Sequence, residues 1–172
     1  NSAPVLTFGS NGENSSQALM FSSLFNSFVF DFALRQSMGE TNLNLYVLEQ
    51  LPMPAPRLIK SASISIEDTV EPLEEFLIRN ALRLIWTSHS LDSLGKQVEP
   101  DSGPFIWNEE ERRERRAKLD AAIAHLYGID KKQFEYILDS FEILKNREIE
   151  NHGEYQRKYE CLKEFERIEL SG

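Results

Sequence analysis

The chain has 172 residues, 41% of them apolar and 27% charged, which suits one folded core or a small domain with a helical appendage and excludes wholesale disorder and a multidomain enzyme. With 28 acidic and 19 basic residues the formal net charge is −9, so any grip on nucleic acid must come from a local basic patch rather than overall charge. One cysteine, Cys161, allows no internal disulfide, and no apolar run reaches the roughly 18 residues of a membrane span, so the expected setting is a reducing cytoplasm without a membrane partner.

In chain order, residues 1–16 are rich in Ser, Asn and Gly and read as a flexible lead-in. The chain begins at Asn1 rather than Met, which points to a piece of something longer. Residues 17–38 are apolar nearly all round, through Leu19, Phe21, Leu24, Phe25, Phe28, Phe30 and Phe32, and predict one largely buried helix capped by Gly39. Alternating Leu43, Leu45 and Val47 predict a short strand over 42–48. Pro52, Pro54 and Pro56 then make a stiff, extended connector over 51–56.

A polar stretch at 61–67 leads to a helix capped by Asp68 or Thr69 that buries Leu73, Phe76, Leu77, Ala81, Leu84 and Ile85. Residues 88–103 read as a loop. Asn108 caps a charged helix over 109–127, its acidic first turn suiting the positive end of the helix dipole, and Gly128 stops it. Asp130 opens a helix with Phe134, Ile137, Leu138 and Phe141 on one face, and a last helix over 152–170 aligns Tyr155, Tyr159, Leu162, Phe165 and Ile168. The expected fold is mainly α, a helical bundle with a small α+β element near the N-terminus.

The residues that would carry chemistry are sparse. His89, His125 and His152 are far apart, with no carboxylate or cysteine at ligand spacing, and His125 reads as a surface or satisfied core residue. The glycine-containing string at 8–12 precedes no strand, turn and helix unit, and Pro100-Asp101 reads as a loop turn. No Pro-Pro occurs, so the Asn/Asp-Pro-Pro-aromatic motif that holds a flipped base is absent. The one dense basic cluster is Arg112, Arg113, Arg115, Arg116 and Lys118, interleaved with Glu109, Glu110, Glu111 and Glu114 at pairing distance. A self-compensated solvated helix competes there with a phosphate contact.

Two stretches carry a family resemblance. Leu24-Phe-Asn-Ser-Phe-Val-Phe-Asp-Phe-Ala-Leu-Arg-Gln36, with Gly39, Thr41-Asn-Leu-Asn44 and Val47-Leu-Glu-Gln-Leu-Pro-Met-Pro54, resembles the closing segment of target-recognition domains in bacterial DNA adenine methyltransferases and restriction-modification enzymes. Leu119-Asp-Ala-Ala-Ile-Ala-His-Leu-Tyr-Gly128, Phe134-Glu-Tyr-Ile-Leu-Asp-Ser-Phe141 and Glu154-Tyr-Gln-Arg-Lys158 resemble the C-terminal helices of fused methyltransferase-endonucleases. The resemblance implies a closing recognition segment over 17–56, a helical C-terminal domain over 57–172, and a chain that is non-catalytic by itself. It also implies an upstream methyltransferase domain using S-adenosylmethionine, with or without endonuclease activity in the parent protein, and no cofactor in this piece. Double-stranded DNA is the implied partner, with Arg35, Gln36, Asn42 and Asn44 near it together with the basic cluster. Asn42 stands where the family more commonly has His, and the long variable body of a recognition domain is missing. The competing expectation is a helical protein–protein interaction module that does not bind DNA.

Overall fold

A computed structural model describes residues 13–38 and 45–172. These residues form ten α-helices and a three-stranded antiparallel sheet, the mainly helical architecture with a small β element that the pattern predicts. The string at 8–12, Gly39, Asn42 and Asn44 lie outside the described residues, and of the expected lead-in residues 13–16 already belong to the first helix.

The single helix expected over 17–38 is two: α1 (Glu13–Phe25) and α2 (Phe28–Ser37), bent by 67° at the break. Side chains that compete for the backbone cause it. Asn26 Nδ2 donates to Ser22 O, Ser27 Oγ donates to Leu24 O, and Ser27 Oγ accepts from Phe30 N–H, capping α2. The apolar periodicity ran through the break without registering it.

Residues 45–48, expected in a strand, are helical. In α3 (Leu45–Gln50) Val47 is buried, and so is Leu51 just beyond; their four-residue spacing satisfies a helix as well as the alternation satisfies a strand. Pro56 does not extend the connector but opens α4 (Pro56–Ser61), where its missing N–H costs nothing. The sheet lies elsewhere than expected. Ser-Ile-Ser-Ile forms β1 (Ser63–Ile66), which pairs with β2 (Thr69–Pro72) through a tight turn in which Glu67 takes φ 55°. The third strand, β3 (Ile168–Ser171), takes residues expected to finish the last helix and pairs with the other edge of β1. Asp68 and Thr69 therefore belong to the hairpin, and Pro72 precedes α5 (Leu73–Ile85).

The predicted loop at 88–103 contains α6 (Asp92–Val98), where Gly95 lies flush against the buried Trp86 ring. Trp86 Nε1 donates to Asp92 Oδ1 at 3.0 Å, so a tertiary contact rather than local propensity orders this segment. Asn108 caps α7 (Glu109–Leu126) as expected, and Gly128, at φ 67°, ends the turn after it in the left-handed region that suits glycine. The capping box of Asp130 and Gln133 starts α8 (Lys131–Asp139). The stretch 142–151, for which no element is predicted, forms most of α9 (Glu142–His152), which ends at Gly153 with φ 81°, and the predicted last helix follows as α10 (Gln156–Arg167).

The main core collects Met20 and Leu24 from α1, Phe76 and Leu77 from α5, Ile123 from α7, Leu138 from α8 and Phe165 from α10. Ala117, Ala121 and Ala124 are fully buried on α7 and recur at helical spacing, so neighbouring backbones approach α7 closely. Thus α7 becomes the central helix, and its remaining faces decide what its arginines can do.

Candidate functional site: an arginine-lined cleft

A cleft of about 610 Å³ opens where α7 meets the α1–α2 break, α5, the start of α9 and the first turn of α10. Residues 112, 116 and 120 follow one another at four-residue steps, so Arg112, Arg116 and Asp120 form one stripe of α7 facing the cleft. Arg157, one residue into α10, faces the same cleft, and with Arg35 from α2 it brings the guanidinium side chains on the lining to four.

Three of these arginines differ from their neighbours. Among the described residues, no carboxylate lies within ion-pair distance of Arg112, Arg116 or Arg157, whereas Arg113, Arg115 and Lys118 are all paired. Arg112 Nη1 donates to Leu84 O at 2.7 Å, and its Nε is buried without a hydrogen-bond partner, as is Arg157 Nη1; Arg113 Nε also lacks a hydrogen bond but lies 3.6 Å from Glu160 Oε1. Burial lowers the Arg116 pKa, and the positive charges of Arg157 and Arg112 lower it further, with only partial compensation from Glu109 and Asp120. An unpaired, partly desolvated cation next to two like charges is costly unless an anion joins it.

Two carboxylates line the cleft, Asp31, which pairs with Arg35, and Asp120, which is almost wholly buried. Asp120 Oδ1 accepts the Phe28 N–H at 2.9 Å, tying the start of α2 to α7, and Cys161 Sγ approaches its Oδ2 at 4.0 Å. Burial pushes its pKa up to about 7, against the pull of the Phe28 N–H and the charges of Arg157 and Arg116. Burial likewise pushes the Cys161 thiol up, which leaves it an inert core side chain. At neutral pH the Asp120 carboxyl is thus partly protonated and only partly compensates the arginines.

At the cleft rim, Arg35 makes a bidentate pair with Asp31 at 3.0 and 2.9 Å while its guanidinium lies 4.5 Å over the Phe141 ring. Its charge is neutralised locally. Gln36 is exposed and lines no part of the cleft.

No family model matches the chain, and no curated protein or solved structure matches it significantly. Its role must be read from the cleft.

The structure splits the predicted basic cluster in two. Arg112 and Arg116 reach the cleft. Arg113 instead donates to Gln156 at 3.2 Å and faces Glu160, Lys118 pairs with Glu114, and Arg115 holds Glu111 while reaching Asn80 Oδ1 at 2.9 Å. The buried Asn80 in turn donates to Phe76 O, so Arg115 staples α7 to α5. These three carry structure. Arg157 and Asp120, which complete the cleft, were not among the predicted site residues; a lone carboxylate inside the apolar run Leu119-Asp-Ala-Ala-Ile-Ala124 is a visible sequence signal for Asp120. His125 is a satisfied core residue, with Nε2 2.9 Å from Phe165 O and its ring stacked on Phe165. Among the described residues, no three His, Cys, Asp or Glu side chains gather to hold a metal.

Proposed function

We propose that this chain is a DNA-recognition and support module of a restriction-modification DNA adenine methyltransferase, non-catalytic by itself, with the S-adenosylmethionine-dependent catalytic domain upstream in the parent protein. The support is the convergence of Arg112, Arg116 and Arg157, without paired carboxylates, on one cleft of an otherwise acidic molecule. A backbone phosphate supplies the missing negative charge, and guanidinium donors suit its oxygens in a fork-like geometry. Such contacts position a duplex without reading its sequence, which fits a supporting role beside a domain that flips and methylates the base. The resemblance over residues 22–54 and 119–158 supplies the enzyme class.

The test is anisotropy of a labelled duplex titrated with Arg116→Gln, Arg157→Gln and, as paired controls, Arg113→Gln and Lys118→Gln. The cleft variants weaken binding similarly for every sequence and make the salt dependence shallower by about one in log–log slope. The controls leave it nearly unchanged. Equal effects of all four variants would refute the cleft as the phosphate site.

A second reading has its own observation. An apolar groove of about 620 Å³, lined by Val29, Phe32, Tyr127, Ile129, Tyr136 and Ile137, leaves Tyr136 68% exposed. It suits another protein surface, whether the upstream methyltransferase domain or the partner of an interaction module. Association through this groove would persist at salt concentrations that abolish phosphate binding.

A further inference from the structure

Immediately before α7 the chain presents two apolar side chains to solvent. Ile106 is 91% and Trp107 58% exposed. Both ends of this short tip are fastened. On one side the Phe105 N–H donates to Trp86 O at 2.8 Å, and the Phe105 ring meets Trp86 edge-on beneath Arg83. On the other, Asn108 caps α7 by accepting the Glu111 N–H. The indole itself is held, because Nε1 donates to Glu109 Oε2 at 3.1 Å and one ring face is covered by the Arg112 guanidinium, 3.6 Å from the centroid.

An exposed tryptophan fixed in place loses little conformational freedom when something stacks on it. Its neighbour decides what that is. Arg112 lines the arginine cleft and also covers Trp107, so the stacking surface and the anion site share one side chain. A nucleotide carries a flat π-face and a phosphate on one sugar, matching that adjacency, and an apolar peptide segment supplies no anion for the cleft.

We propose that Trp107, flanked by Ile106, is a stacking platform for an unpaired nucleobase of the strand whose phosphate sits on Arg112, Arg116 and Arg157. This rests on the phosphate-binding reading of the cleft and adds to it a preference for DNA with an accessible base. A paired duplex buries its base faces and offers the platform only an edge or an opened step. Single strands, flaps and bulges offer a whole face.

Tryptophan fluorescence reports the contact directly. Of the two tryptophans, Trp86 is fully buried, so quenching by DNA reports Trp107. The probes are a fully paired duplex, the same duplex with one bulged nucleotide, and a single-stranded oligonucleotide of equal length, each titrated into the full chain. The expected results are quenching with the bulged and single-stranded probes and tighter binding of these than of the paired duplex. Trp107→Ala weakens their binding by about 5- to 150-fold, the range for one base–aromatic stack, with the salt slope unchanged. Trp107→Phe keeps most of the affinity and removes the quenching. Because Trp107 is exposed, circular dichroism of both variants matches the parent chain.

Unchanged affinity of Trp107→Ala for all three probes, alongside loss of binding in Arg116→Gln, would overturn the platform and leave the phosphate cleft standing. Equal affinity for paired and bulged duplexes without quenching would do the same. Failure of every probe to bind at low salt would overturn both readings.

Discussion

Asp120→Asn tests the electrostatics of the cleft from the protein's own stability. Near-complete burial pushes the wild-type carboxyl up to about 7 in the fold, against 3.8 for an ordinary aspartate. Its pKa is raised, so the folded state holds the proton more tightly than the unfolded chain. The associated stability is fully present below about pH 4 and declines as pH rises toward 7, with no further loss from this group above that. About three pH units at about 1.4 kcal/mol each put the whole change on the order of 4 kcal/mol. Asparagine keeps an oxygen to accept the Phe28 N–H and never ionises. Any fixed cost of its amide donors near Arg116, Arg157 and Cys161 shifts the variant by a constant, and the remaining ionisable groups are common to both chains. Urea unfolding at half-unit steps from pH 4 to 8 should therefore show the variant gaining on wild type as pH rises, steeply from about 4 to about 7, then levelling. Two curves a constant distance apart would refute the claim that Asp120 is protonated by burial.

Other substitutions separate the structural from the functional arginines. Arg116→Gln removes a desolvated cation that faces like charges, so its thermal midpoint should rise or hold while DNA affinity falls; a lower midpoint would show that Arg116 stabilises the fold. Arg115→Ala leaves the buried Asn80 Oδ1 without its donor and should cost about 1–3 kcal/mol in urea unfolding, with DNA affinity barely altered. Gly95→Ala drives a methyl group into the buried Trp86 ring and should destabilise by at least the 1–3 kcal/mol typical of an overpacked core, detectable as a lower denaturation midpoint.

The helix faces were legible where the apolar period and the caps agreed. Asn108 and Gly128 bracket α7, and Asp130 with Gln133 opens α8, because each signal is local and each side chain satisfies a nearby backbone group. Hairpin β1–β2 was missed because two isoleucines set among serines give a weak apolar alternation, and its decisive partner, β3, is about 100 residues away. Residues 45–48 are helical where the alternation predicts a strand, because the four-residue spacing of Val47 and Leu51 satisfies a helix face equally well. At the site, Arg112 and Arg116 were visible as basic residues, but the sequence did not separate them from Arg113 and Arg115. That distinction depends on Gln156, Glu160 and Asn80, which lie on other helices. Arg157 joins the cleft only through the packing of α10 against α7 and has no local signal.

The most direct test of the central claim is anisotropy of a labelled random-sequence duplex titrated with the wild-type chain at low and at physiological salt. Phosphate binding through the arginine cleft predicts association that weakens log-linearly as salt rises, by about 0.9 in slope for each phosphate neutralised, and a shallower slope in Arg116→Gln. Absence of binding at low salt, or binding indifferent to salt, would contradict it and leave the chain as a protein-contacting helical scaffold.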